Sequence, residues 1–227
     1  MEKIKHVFFD LDHTLWDFDK NSEKAFETIF KESLPDLEVF AFMEVYVPIN
    51  QECWSLYQKD SITQEELRYQ RLKRSFDALG ITVSNQLIDA ISEQYIFHLP
   101  NSTHLFEGCI ETLEYLFGKY KLHIITNGFA EVQFKKMNNS GIYHFFETIT
   151  SSELAGSKKP NPVIFEYALQ QAKATKEESL MIGDSLEADV DGALDFGIEA
   201  IFFNSNQIKY SEDRKQITTL VALKNIL

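Results

Sequence analysis

Cysteine is scarce in this 227-residue chain. Cys53 and Cys109 stand far apart, outside any CxxC pair or Cys/His cluster, which argues against a disulfide framework and against a zinc site. Two buried small side chains are the simpler reading. Long apolar runs are missing too. No uncharged stretch approaches the ~20 residues of a membrane span, and the charged start, Met1 to His6, runs straight into an apolar strand with no signal-peptide core. A soluble, cytoplasmic protein without a membrane partner is expected. The third shortage is positive charge: 22 Lys and Arg face 35 Asp and Glu, for a formal charge of −13. That field repels DNA, RNA and anionic membranes, so a nucleic-acid polymer is not an expected partner. A small phosphorylated substrate stays allowed, because a local cation and a lysine can outweigh a screened global field. The expected assembly is a monomer or weak homodimer.

What is present is ordinary globular composition with an aromatic excess: 44% hydrophobic, 25% charged, 19 Phe and 9 Tyr. The length fits one core domain carrying an insertion. Ile4 to Phe9 alternates and then turns fully apolar, as a buried first strand does, and it ends at Asp10. From about Asp19 to His98 the spacing becomes helical. Ala25, Phe26, Ile29 and Phe30 form one stripe, Leu67, Leu72, Phe76 and Leu79 a second, and Leu87, Ile88, Ile91 and Tyr95 a third. Thr63 with Glu66 three residues on makes a capping box, and Gly80 marks a helix stop.

Beyond Pro100 helices and strands alternate. Helices are expected near Cys109–Phe117, Ala130–Asn139, Pro162–Ala172 and Leu186–Asp195, and strands at Leu122–Thr126, Phe146–Thr150, Leu180–Ile182 and Ile198–Phe203. The pattern predicts a parallel sheet covered on both faces, with right-handed crossovers. The fold class is therefore α/β: a Rossmann-like parallel sheet core of residues 1–16 and 101–227, with a helical cap, residues 17–100, inserted between the two pieces. From Ser205 a polar turn and a short terminal element are expected.

In such sheets ligands bind beyond the C-terminal strand ends, and chemistry-bearing residues gather there. The first strand delivers Asp10 and Asp12; the strand ending at Ile125 delivers Thr126-Asn127-Gly128, a hydroxyl and a flexible backbone at a helix start, suited to an anion. Lys158-Lys159-Pro160 brings a cation, and Gly183-Asp184-Ser185 is followed by Asp189. Clustered carboxylates repel one another unless a cation neutralises them, and a hard divalent ion such as magnesium suits an all-oxygen set better than zinc does.

In order along the chain, these residues resemble the four motifs of the haloacid dehalogenase superfamily: DxDxT at Asp10, Asp12 and Thr14, a hydroxyl at Thr126, a lysine at Lys159, and GDSxxxD from Gly183 to Asp189. The resemblance implies that Asp10 is a nucleophile forming an aspartyl-phosphate and that Asp12 moves protons to the leaving group and from water. It implies magnesium held by Asp10, the Asp12 carbonyl, Asp184 and Asp189, with Asp191 a neighbouring competitor for the last place. It further implies that Thr126, Asn127, Gly128 and Lys159 cradle the phosphoryl group. His13 is read as a backbone residue. Aspartate at position 12 favours phosphate transfer over halide displacement, and the insertion resembles a type-1 helical cap. Thr126 to Gln133 with Ser140-Gly141-Ile142 resembles the pyrimidine 5′-nucleotidase subgroup, which implies nucleoside 5′-monophosphates as substrates. Phosphoglycolate or sugar-phosphate hydrolysis is the alternative, with 2-haloacid dehalogenation and a non-catalytic phosphate-binding module behind it. Trp16, Phe18 and Phe129, and the cap aromatics Phe42, Tyr46, Trp54 and Tyr57, are read as packing residues.

Overall fold

The computed structural model describes residues 3–209 and 214–227; the expectations for Met1 and Glu2, and part of the polar turn after Ser205, lie outside the described residues. Six strands form one parallel sheet: β1 (His6–Phe9), β2 (Lys121–Thr126), β3 (Phe146–Ser151), β4 (Ser179–Gly183), β5 (Glu199–Phe203) and β6 (Gln216–Ile217). Their order is β3-β2-β1-β4-β5-β6. The chain leaves β1 toward β2 and β3, then crosses back to β4 on the far side of β1. That reversal makes β1 the switch point of the sheet, where an open α/β sheet leaves a crevice at its carboxyl edge. Phe9 pairs with Ile124 on one side and Ile182 on the other, and the Asp10 amide extends the ladder by donating to the Ile182 carbonyl at 2.9 Å. Asp10 is thus fixed by backbone bonding at the strand's end.

The chain divides into two compact units, residues 1–18 with 104–227, and residues 19–103. The first is the α/β unit. Its further helices are α5 (Cys109–Leu116), α6 (Ala130–Asn139), α7 (Ser152–Ala155), α8 (Pro162–Ala172) and α9 (Gly192–Phe196), the last preceded by a π-helical turn over Leu186–Asp191. The continuous helix expected from Leu186 to Asp195 is therefore two pieces. Phe8, Ile164, Phe165, Met181, Val190 and Phe202 belong to one buried apolar cluster beneath the sheet, the kind of area that drives such a layer together at roughly 25 cal/mol per Å².

The second unit holds most of α1 (Phe18–Ser33) and all of α2 (Val39–Gln58), α3 (Gln64–Ala78) and α4 (Asn85–His98). Its centre is aromatic. Phe26 lies 4.7 Å from Tyr95, 4.8 Å from Phe42 and 4.8 Å from Tyr46, ring to ring. The Thr63–Glu66 capping box opens α3 with both reciprocal bonds. Phe42 and Tyr46 are buried, whereas Trp54 and Tyr57 are half-buried. Among the described residues no helix is long and apolar enough to cross a membrane, and Cys53 and Cys109 are buried free thiols.

Candidate active site

Beyond Phe9 the chain makes a tight turn. The amides of Leu15 and Trp16 both donate to the Leu11 carbonyl, at 3.0 and 2.9 Å, and His13 takes a positive φ of 65° while its amide donates to Trp16. A non-glycine residue in that region pays a conformational cost, and here the turn redirects the chain just past Asp10. Thr14, inside the turn, donates its hydroxyl to Asp184 Oδ1 at 3.0 Å, tying the end of β1 to the end of β4.

Lys159 sits at the centre of the buried charge. Its ammonium donates to Asp10 Oδ1 at 2.6 Å and to the Ile125 carbonyl at 2.6 Å, and it forms an ion pair with Asp189 Oδ1 at 2.6 Å, an oxygen that is buried without a hydrogen-bond partner. Burial opposes that charge, but Asp10 and Asp189 outweigh burial and hold the lysine above its ordinary range. The backbone of Lys159 is held in turn by Asn127, whose Nδ2 donates to the Lys159 carbonyl at 3.0 Å and whose Oδ1 accepts from the Lys159 amide at 2.8 Å. The Asn127 side chain is thus an anchor for the lysine loop. Lys158, its neighbour, is half-buried.

Asp189 enters because Gly183 lets it: a Cβ on Gly183 would collide with the Asp189 carboxylate. Its Oδ2 also accepts from the Ser185 amide at 3.0 Å. Asp191 points elsewhere and pairs with Arg214 at 2.7 Å on the surface. Asp10, Asp184 and Asp189 each offer a carboxylate oxygen, and these three atoms lie within 4.8 Å of one another. Three carboxylates around one ammonium leave a formal surplus of two negative charges. Burial, with Asp189 and Asp184 adding to it and Lys159 resisting, raises Asp10 well above the usual carboxylate range. Burial, reinforced by Asp189, pushes Asp184 up to about 8. Hard oxygen donors, close spacing and more carboxylates than ammonium groups to balance them fit a divalent cation.

The Asp12 carboxylate is not one of those three. It is bound by α6: Gln133 Nε2 donates to Oδ2 at 2.8 Å and Lys136 Nζ lies 2.6 Å from Oδ1. Gln133 Nε2 also reaches Thr126 Oγ1 at 2.8 Å, and that oxygen accepts the Gly128 amide at 3.0 Å. With two bonds accepted, the Thr126 hydroxyl keeps its own proton to donate. A Cβ on Gly128 would strike the Gln133 amide, so glycine is needed for this approach. Sequence reasoning assigned no role to Gln133 or Lys136. The signal was the spacing of α6, whose buried positions are Val132, Gln133, Lys136 and Met137: a lysine on the apolar stripe of a helix requires a partner.

The sequence model of the family described as "Haloacid dehalogenase-like hydrolase" matches residues 7–203. The pyrimidine 5′-nucleotidase PynA of Streptococcus pneumoniae is 32% identical over 208 residues, covering 90% of this chain and 86% of that one. A glyceraldehyde 3-phosphate phosphatase of Methanothermobacter thermautotrophicus is 31% identical over 215 residues, covering 92% and 90%. Among solved structures, the magnesium-bound HAD-hydrolase YfnB of Bacillus subtilis, reported as revealing interdomain movement, superposes with a TM-score of 0.88 at 26% identity, covering 99% of each chain. Matched from the first strand to the fifth, with nucleotidase and phosphatase relatives aligned across most of its length, the chain is an enzyme belonging to the haloacid dehalogenase-like hydrolase family.

Proposed function

We propose that this enzyme is a magnesium-dependent phosphomonoester hydrolase that works through an aspartyl-phosphate on Asp10 and acts on nucleoside 5′-monophosphates. The observation that carries the reading is the buried Asp10 carboxylate at the head of β1, held by Lys159 at 2.6 Å with two further carboxylates gathered beside it. The Asp10 carboxylate attacks phosphorus as the bond to the leaving oxygen breaks, and a proton from Asp12 goes to that oxygen. Asp12 then takes a proton from water, whose oxygen attacks phosphorus and frees Asp10. The Thr126 hydroxyl, the amide of Asn127 and Lys159 are the proposed seat for the phosphoryl oxygens, with the Gly128 amide holding Thr126 Oγ1 in place. Because the Lys159 ammonium is bonded to Asp10 and to the Ile125 carbonyl, its first task is to hold Asp10 in place and ionised.

Asp10, Asp184, Asp189 and the Asp12 carbonyl would hold the magnesium, which when bound supplies the positive charge that lets an anionic nucleophile approach an anionic ester. The helical insert, residues 17–100, is the proposed specificity-setting cap. Nucleoside monophosphates lead because the Thr126 to Gln133 stretch resembles pyrimidine 5′-nucleotidases and PynA is among the relatives. The glyceraldehyde 3-phosphate phosphatase favours sugar phosphates as a second reading.

A panel of nucleoside monophosphates, sugar phosphates, phosphoglycolate and 2-haloacids, with and without magnesium and beside Asp10→Asn, separates these. Phosphate release from pyrimidine monophosphates that needs magnesium and vanishes in the variant is expected. Turnover of sugar phosphates with none of UMP would move the enzyme to the second reading. Halide release without phosphate release would overturn the phosphatase reading.

A further inference from the structure

Two adjacent lysines on α6 are treated in opposite ways. Lys135 is exposed and pairs with Glu131 one turn back at 2.6 Å, the solvated arrangement expected of a helix surface. Lys136 is only 2% exposed. Burying an ammonium is costly unless it is paired, and its partner is a residue of the first motif, 2.6 Å away at Asp12 Oδ1. Gln133, one turn earlier on the same helix, takes the other oxygen of that carboxylate at 2.8 Å. Asp12 is therefore gripped at both oxygens by one rigid element.

The grip is itself braced. The Lys136 ammonium lies 4.2 Å from the Trp16 ring centre and 5.0 Å from that of Phe18, so aromatic faces confine it. Trp16 in turn donates from Nε1 to Ser140 Oγ at 3.1 Å, at the C-terminal end of α6. Gln133 also reaches Thr126, so one helix registers the Asp12 carboxylate against the loop that follows β2. A surface lysine kept only for solubility needs none of these contacts.

We propose that Lys136 is a positioning residue, which with Gln133 sets the Asp12 carboxylate where it exchanges protons with the leaving oxygen and the attacking water. The inference rests on the phosphomonoesterase reading above and adds to it a residue outside the family motifs. Its consequence is selective. Transfer of the phosphoryl group to Asp10 needs a proton from Asp12 only when the leaving oxygen is a poor one, as in a nucleoside monophosphate. 4-Nitrophenolate leaves without protonation.

The test compares kcat/KM for UMP and for 4-nitrophenyl phosphate in magnesium, in the wild-type enzyme and in Lys136→Met and Lys136→Arg. kcat/KM reports the steps through departure of the leaving group. Lys136→Met is expected to lose about 100-fold on UMP, the scale of general acid catalysis and of a misplaced group, but less than about 3-fold on 4-nitrophenyl phosphate. Lys136→Arg should recover UMP activity to within about 10-fold of wild type by restoring the charge. Equal losses on both esters would show a merely structural role and overturn the proposal, as would no loss on either. If Lys136→Met does not fold, Lys136→Gln reads the same ratio. Failure of the underlying reading looks different, because the wild-type enzyme would then hydrolyse neither ester, and the proposal would fall with it.

Discussion

Two buried polar clusters occupy opposite ends of the four-residue strand β1. At its start, His6 Nδ1 and His123 Nε2 lie 3.0 Å apart, and His123 Nδ1 meets Thr148 Oγ1 at 2.9 Å, so a relay crosses β1, β2 and β3. Phe8 stacks on His123 at 4.6 Å. Burial, helped by His6, lowers His123 to about 3, burial lowers His6 as well, and both His123 ring nitrogens have a neighbour to bond. At the other end, Asp10, Asp184 and Asp189 crowd around Lys159 with two negative charges to spare. A polar group buried for architecture is brought to neutrality by its neighbours. The carboxylates of the second cluster are left short of positive charge, so their proton affinity is raised and a cation from outside the chain is the group that would let them ionise together.

The largest stability effect that would sharpen this contrast is at Asp184. An acid whose folded pKa is raised, here to about 8, holds its proton more tightly folded than unfolded. Its contribution favours folding at low pH and is lost as pH climbs from about 4 to about 8. Metal-free protein should lose stability over that range, and Asp184→Asn should remove on the order of 2 kcal/mol of the loss, measured by urea unfolding at pH 5 and pH 8. An unchanged pH dependence in the variant would mean the cluster is not charge-crowded. Magnesium should stabilise the wild-type protein and do much less for the variant.

A smaller effect is expected at the relay, with the opposite sign. The His123 base is neutral when folded down to about pH 3, while the unfolded chain takes its proton near 6.5, so stability falls as pH drops between those values. His123→Gln should flatten that limb by up to about 2 kcal/mol at pH 5 and leave phosphate release untouched. A loss of activity would break the separation between the two clusters. The smallest effect is expected at Lys135→Ala. That exposed pair with Glu131 should contribute within about 0.5 kcal/mol by thermal unfolding.

Much of the sheet and its helices was legible in the sequence. Pro162–Ala172 and Ala130–Asn139 are helices with the bounds expected; Asn161 caps the first, which buries an apolar stripe of Ile164, Phe165, Ala168, Leu169 and Ala172, whereas the second buries Gln133 and Lys136 beside Val132 and Met137. α2 was named only through its aromatics: Pro48 lies inside it, a residue that local rules read as a break. The π-helical turn at Leu186–Asp191 was equally invisible, since it serves the approach of Asp189 to Gly183, a contact between residues whose packing no periodicity encodes. In the site, Asp10 and Asp184 were readable as strand-end acids and Asp189 as the acid about one turn beyond, and they lie together. Gln133 and Lys136 were not singled out, because the carboxylate they share, Asp12, lies in the turn after β1, 121 and 124 residues away in the chain. A lysine on a buried helical stripe announces that it has a partner without saying which.

The most direct test of the central claim is to look for phosphate on Asp10. Enzyme turning over UMP with magnesium would be quenched in acid and its peptides mapped by mass spectrometry. A phosphorylated peptide containing Asp10, present only with magnesium and absent from Asp10→Asn, is the predicted result. Steady phosphate release with Asp10 unmodified throughout, or with the label on another residue, would contradict the account.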